Sequence, residues 1–149
     1  MSAALHRAKP DDLERLMPLV AAFHAKEALQ STEDSRHAAL TPLLDGSPHG
    51  AVYLIGPQRA PIDYVVVTFG WSVEFGGLDG FIDEIFIRSG VRGCAVGSEV
   101  INSLVAMLKS VGMKALHLEV DPENARALRL YGRCHFKPRS GYQMMLRLL

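Results

Sequence analysis

The run Phe81-Ile82-Asp83-Glu84-Ile85-Phe86-Ile87-Arg88-Ser89-Gly90-Val91-Arg92-Gly93-Cys94-Ala95-Val96-Gly97-Ser98-Glu99 changes character halfway along. From Phe81 to Ile87 it is mostly β-branched or aromatic, as strands prefer. From Val96 the apolar residues recur at helical spacing: Val96, Val100, Leu104, Met107, Leu108 and Val111 form one stripe. A strand therefore feeds a helix through a short loop of small residues. The loop brings free backbone N–H groups to a helix N-terminus, where the dipole supplies about half a unit of positive charge. Small side chains let a phosphate reach that backbone, and Arg92 adds a fork of donors.

Upstream, residues 3–8 alternate weakly and suit a short strand. Lys9-Pro10-Asp11-Asp12 opens a helix whose stripe is Leu13, Leu16, Met17, Val20 and Phe23, running to about residue 29. A capped break at Ser31–Asp34 precedes a second helix, about 33–44. Gly50–Ile55 and Ile62–Phe75 read as strands, with Gly70 marking a bulge and Gly76–Gly80 a hairpin turn. Downstream, a helix over about 95–110 is stopped by Gly112, and Lys114–Val120 is a strand. Asp121 caps a helix that has Pro122 at its first position and runs to about Cys134. His135–Pro138 and Tyr142–Leu148 are two last strands joined at Arg139-Ser140-Gly141. The order β-α-α-β-β-β-α-β-α-β-β predicts an α/β or α+β fold around a central mixed sheet.

The 149 residues suit one domain, 1–149, able to bury a sizeable core. Zero formal net charge gives no basic footprint for nucleic acid or an anionic membrane. The apolar run Tyr64–Val73 is too short to span a bilayer, and no secretory signal is visible. Two cysteines, Cys94 and Cys134, and six scattered histidines make neither a disulfide framework nor a metal site; a reducing, cytoplasmic setting is expected. The chain lacks both a Gly-x-x-x-x-Gly-Lys-Ser/Thr loop and a Gly-x-Gly-x-x-Gly turn opening a βαβ unit, which disfavours other nucleotide-binding enzymes.

A second informative stretch is Leu118-Glu119-Val120-Asp121-Pro122-Glu123-Asn124-Ala125-Arg126-Ala127-Leu128-Arg129-Leu130-Tyr131-Gly132-Arg133-Cys134-His135-Phe136. Asn124 and Tyr131 are seven apart and share a helix face. Together the two stretches resemble the GNAT N-acetyltransferases. That family's acyl-CoA signature is Arg or Gln, two residues, Gly, one residue, then Gly or Ala; it falls here on Arg92, Ala95 and Gly97. Ala95 stands where the family usually has Gly, which is tolerable if its backbone is helical. In the later stretch Asn124, Ala127, Leu130 and Tyr131 match, and His135-Phe136 replaces the usual Gly-Phe. Histidine tolerates a left-handed helix cap better than most residues. The element order matches the family over essentially the whole chain.

The resemblance implies that acetyl-CoA lays its pyrophosphate on Arg92, Gly93, Cys94, Ala95, Val96, Gly97 and Ser98 and its pantetheine along Ile85, Phe86 and Ile87. Asn124, Ala127 and Tyr131 complete that site. It also implies that Tyr131 stands near the sulfur as general acid, and that the first two helices line the acceptor site, making Phe23, His24 and Glu27 substrate-side candidates.

The chemistry constrains the remaining roles. An alkyl amine has a pKa near 10, so only about one in a thousand is neutral at pH 7. A carboxylate with pKa near 4 is mismatched by about six units, roughly 8 kcal/mol, and would act through water, with a raised pKa, or by attracting the cation. Tyr131 is well matched to protonate a departing thiolate, and strand N–H groups can polarise the thioester carbonyl. Asp83 and Glu84 are adjacent, so a regular strand points them to opposite faces and only one can face a given cleft; Glu84 has the longer reach. No activated nucleophile pairing is visible, which favours direct attack by the amine in a ternary complex. The alternative is a non-catalytic acyl-CoA sensor or interaction module on the same fold. The Met- and Leu-rich last strand suits either the core or a homodimer seam.

Overall fold

The structure is a computed structural model describing residues 5–87 and 93–149. Strand β1 (Leu5–Arg7) leads through a 3₁₀ turn (Pro10–Asp12) into α1 (Leu13–Lys26) and α2 (Glu33–Leu44). Three strands follow, β2 (Gly50–Ile55), β3 (Asp63–Ser72) and β4 (Gly77–Phe86), then α3 (Gly93–Ser110), β5 (Ala115–Leu118) and α4 (Ala125–Arg133). The strands form one sheet in the order β1-β2-β3-β4-β5, antiparallel from β1 to β4 and parallel between β4 and β5. This is the mixed α/β architecture expected.

Strand alternation splits the core in two. Val52 and Leu54 of β2, Tyr64 and Val66 of β3 and Phe86 of β4 pack with Leu16, Leu19 and Val20 of α1 and Leu40 and Leu44 of α2. On the other face, Ala51, Tyr53, Ile55, Val65, Val67 and Ile82 pack with Val100, Leu104 and Leu108 of α3. Burying each such aliphatic side chain is worth about 1.5–3 kcal/mol, so α1 is firmly seated and its last turn is a fixed platform. Val111 departs from the expected stripe: it lies beyond the end of α3 and is exposed.

One irregularity positions the site. Val66 pairs with Glu84 and Val67 with Ile82, so Asp83 is an extra residue on β4. A bulge of this kind re-aims the side chains that follow it. Ile82 belongs to the α3-side core, whereas Phe86 belongs to the α1-side core with Tyr64 and Val66. The bulge falls here, and not at Gly70, which pairs regularly with Asp79.

Other boundaries also differ from expectation. Gly77–Gly80 belong to β4, paired with Phe69–Ser72, and the turn is Val73–Gly76. Gly80 is a glycine for a packing reason: a Cβ there would meet Met113 Cε at 2.7 Å. Helix α4 starts at Ala125, not beside Pro122. Asn124 is its N-cap, accepting from the Ala127 N–H at 3.1 Å, while Asp121 accepts from the Glu123 N–H in the preceding turn. The two last strands, expected over 135–138 and 142–148, are not formed; residues 137–149 carry no strand or helix, because β5 pairs only with β4 in this chain.

Candidate active site

Strands β4 and β5 stay paired only from Asp79↔Ala115 to Ile82↔Leu118. Beyond Ile82, β4 continues to Phe86 against β3 alone, so the sheet opens on its β5 side at the level of Asp83 and Glu84. Main-chain groups on that edge are available to a ligand lying alongside as an extra strand would. Helix α3 begins at Gly93 beyond this gap.

Glu84 is the centre of a side-chain chain. Its Oε2 lies 2.7 Å from His24 Nε2, and its Oε1 accepts from the Tyr64 hydroxyl at 2.8 Å. His24 Nδ1 lies 2.7 Å from Ser31 Oγ, which accepts from Arg36 Nη1 at 2.9 Å. The side chains of His24 and Glu84 are only 15% and 17% exposed, so water competes weakly for these bonds. A neutral His24 protonated at Nε2 donates to Glu84 and accepts from the Ser31 hydroxyl at Nδ1. An imidazolium donates at both nitrogens, and Ser31 then accepts. Both protonation states are satisfied, which is what a group passing a proton requires. Phe23 walls this network, meeting the Tyr64 ring at 6.1 Å and the Phe86 ring at 5.9 Å in edge-to-face fashion.

Burial pushes the Tyr64 hydroxyl far up from its ordinary value, and the charge and hydrogen bond of Glu84 push the same way. Tyr64 is therefore a fixed donor to Glu84. Tyr131 also lies above the ordinary tyrosine value, first through burial and then through the negative charge of Glu27 and the proximity of Cys134. Glu27 caps the end of α1, so this coupling faces the C-terminal ends of α1 and α4 toward each other.

Both helix ends are closed alike. In α1 the Ala28 N–H donates to Ala25 and the Leu29 N–H to His24; in α4 the His135 N–H donates to Gly132 and the Phe136 N–H to Tyr131. Ala28 and His135 take left-handed φ values of 54° and 68°. These are Schellman closures, and in each the helix residue whose carbonyl is held by the outer bond is a candidate site residue. The Phe136 ring packs edge-on against Tyr131 at 6.0 Å, adding the apolar contact typical of the motif. His135 thus adopts the left-handed cap that the sequence anticipates.

Of the other candidates, Asp83 is exposed at the bulge and Phe86 is buried in the α1-side core, leaving the main chain of Phe86 rather than its ring to serve a ligand. Ile85 and Ile87 pack on the α3-side core, as does Val96. Asn124 spends its side-chain oxygen on the α4 cap, and Ala127 is half-buried in the first turn. Gly93, Cys94 and Ala95 lie in the first turn of α3, so Ala95 has the helical backbone that makes alanine tolerable there. Gly97 is buried, and a Cβ on it would stand 3.2 Å from Leu130, so its smallness brings α3 and α4 together; Ser98 follows, half-buried. Arg92 lies outside the described residues.

Tyr64, Ser31 and Arg36 are site residues that sequence reasoning misses. Their signal is the pairing of β3 with β4 and the packing of the α1–α2 connection, neither of which is a local pattern. Among the described residues no cluster of three or more His, Cys, Asp or Glu could hold a metal ion, and no helix is long and apolar enough to cross a membrane.

A mixed sheet splayed beside β4, with a carboxylate–histidine pair on one side and a helix N-terminus beyond the gap, defines an acyltransferase architecture. The Acetyltransferase (GNAT) family model matches residues 5–136, and the chain belongs to that family, whose general activity is acetyl transfer. It is similar to an integron cassette protein from the mobile metagenome of Cole Harbour Salt Marsh, at 27% identity and a TM-score of 0.82, covering 97% of this chain and 90% of that one. A protein of Arthrobacter sp. FB24 named as an acetyltransferase is 26% identical, with a TM-score of 0.79 and coverage of 98% and 94%. The ribosomal-protein-alanine N-acetyltransferase of Brucella melitensis biovar Abortus 2308 shares the fold at 16% identity, with a TM-score of 0.75 and 99% of each chain covered. No curated protein sequence matches the chain significantly.

Proposed function

We propose that residues 1–149 act as a single acyltransferase domain that moves an acetyl group from acetyl-CoA to the amine of a small molecule or peptide, by direct attack in a ternary complex. The observation that carries this reading is the position of the Glu84–His24 pair, at the level where β4 and β5 part and with Tyr131 on the end of the helix opposite α1.

Acetyl-CoA fits the residues present: the β4 edge beyond Ile82 offers main-chain partners for pantetheine, and the N-terminal turn of α3 with Arg92 offers donors for the pyrophosphate. Bound there, it supplies the thioester. Glu84, paired to His24, takes the proton of the incoming ammonium, directly or through one water, and His24 with Ser31 spreads it toward solvent. Main-chain N–H groups of β4 polarise the thioester carbonyl. Tyr131, kept protonated by burial and by Glu27, donates to the departing sulfur.

A non-catalytic sensor reading drew on Ala95 and His135. The helical backbone at Ala95 and the completed closure at His135 absorb both departures, which supports catalysis. A cytoplasmic setting belongs to the same proposal and is supported by the free, buried Cys134.

Calorimetry with acetyl-CoA on wild type and Arg92→Ala, followed by a thiol-release screen over amines, tests the reading. Micromolar binding weakened by Arg92→Ala and turnover with some amine are expected. Binding without turnover across the panel would return the sensor reading.

A further inference from the structure

The end of the chain is the least explained part of the surface. Residues 142–149 include six large apolar side chains, Tyr142, Met144, Met145, Leu146, Leu148 and Leu149, all exposed; Met145, Leu146 and Leu148 are each 84–89% exposed. A segment of this composition is not a solvated tail, which would be polar and charged. Contiguous exposure of this kind marks an interaction surface.

The receptor for such a segment is also present. Strand β5 ends the sheet, and the edge it turns away from β4 has no strand partner among the described residues. Its four residues are all only partly buried. Along it runs a shallow apolar groove where Val105 and Leu108 of α3 meet Met113, Ala115 and Leu116. An open edge backed by an apolar groove accepts one more strand.

The chain's own tail is directed elsewhere. Arg139 pairs with Glu74 at 2.9 Å and lies over the rings of Phe75 and Tyr142, at 5.4 Å and 4.3 Å from their centroids. This clamp fixes the start of the tail at the β3–β4 turn. Gly141, with φ 86°, then sends the chain on through a conformation that favours glycine. The sequence of 142–148 is that of a strand, and eight extended residues span about 27 Å, ample to cover four-residue β5.

We propose that two copies of this chain associate by exchanging residues 142–149, each tail adding as a strand to β5 of the other. Two tails burying about 100 Å² for each of six side chains, with the surface they cover, give about 2,000 Å², the size of a stable interface. Zero net charge imposes no repulsion between copies. The exchange is isologous and closes at two.

Light scattering after size exclusion, with amide hydrogen exchange at Ala115–Leu118, tests the proposal on the full chain and on the variant M144D/L146D/L148D, which keeps chain length and Arg139. A wild-type dimer with slowed exchange at β5, and a folded monomeric variant in which that protection drops at least tenfold, are the expected results. Circular dichroism checks the variant's fold. If it does not fold, the chain ending at Gly141 replaces it. A monomeric wild type means that the tail closes on its own β5 or on nothing, and overturns the proposal. A dimer that persists without the apolar tail overturns it equally.

Discussion

His24 Nε2 and Glu84 Oε2 lie 2.7 Å apart, joining the last turn of α1 to the strand edge where the sheet opens. The pairing is possible because the extra residue Asp83 puts Glu84 level with Val66 of the α1-side core. Tyr64 holds the other carboxylate oxygen. Glu84→Gln keeps the volume and an acceptor for Tyr64 but loses the base. Turnover is expected to fall 10²–10⁴-fold, the usual share of a positioned general base. Acetyl-CoA affinity should stay within threefold. Steady-state kinetics and calorimetry on the same preparation check this, and a variant that keeps its kcat would remove Glu84 from the chemistry.

Ser31 and Arg36 act on Glu84 only through His24. Ser31→Ala leaves the His24 ring without its Nδ1 partner, so His24 loses the orienting bond while Glu84 remains. A loss of about tenfold in kcat with little change in acetyl-CoA binding is expected, and Ser31→Thr should restore most of it. A merely structural role would instead show as a lowered melting temperature that Thr does not rescue selectively.

The pH behaviour of Tyr131 has a definite sign. Burial and then Glu27 raise it above the ordinary tyrosine value near 10, so the phenol stays protonated throughout the neutral range. The alkaline fall of the rate that belongs to this phenol therefore lies above pH 10. Glu27→Gln removes one of the raising influences and should move that limb downward toward 10. Tyr131→Phe should remove the limb and lower kcat about 10²-fold. Stability follows the same sign: the contribution of the raised tyrosines Tyr64 and Tyr131 is fully present below pH 10 and is lost as pH rises through their folded values. Alkaline unfolding monitored by tyrosinate absorbance should accordingly begin above pH 10.

Much of this site is legible in the sequence because it is local. The strand-to-helix switch around Phe81–Glu99, the α1 stripe that aims Phe23 and His24, and the shared face of Asn124 and Tyr131 each depend on spacing within one element. What is not legible depends on pairing. The bulge at Asp83 is a property of β3 and β4 together, so adjacency alone could not say which carboxylate faces the cleft. Tyr64 and Ser31 meet Glu84 and His24 through tertiary contacts. Gly77 and Gly80 read as turn residues because their reason, the approach of Lys114 and Met113, is long-range. The last strand has the right pattern, but in one chain it has no edge to pair with.

The two helix closures predict stabilising substitutions. A non-glycine residue in the left-handed region costs about 1 kcal/mol, and Ala28 and His135 both bear that strain. Ala28→Gly and His135→Gly should each raise the melting temperature by about 3 °C in a chain of this size. Neither side chain is needed for the hydrogen bonds of the motif, which are main-chain. His135→Val, β-branched, should lower it by a similar or larger amount. If strain beside His24 and Tyr131 assists the site, the stabilised variants will lose activity; if it is incidental, thermal scans will move and kcat will not.

Gly97 sets how closely α4 lies on α3, since a Cβ there stands 3.2 Å and 3.3 Å from the two Leu130 methyls, one residue before Tyr131. Gly97→Ala gains about 1 kcal/mol of helix propensity, offset by a shift of a few tenths of an ångström in the half-buried Leu130. It should be near neutral in both stability and rate. Gly97→Leu cannot be absorbed by one side chain. It is expected to cost about 1–3 kcal/mol by overpacking and to push α4 outward with Tyr131 on it. A displacement of about 1 Å at the acid is enough to lower kcat about 10²-fold. Thermal melts and kinetics on both variants check this: a fully active Gly97→Leu protein would mean that Tyr131 is not held in place by the α3–α4 contact.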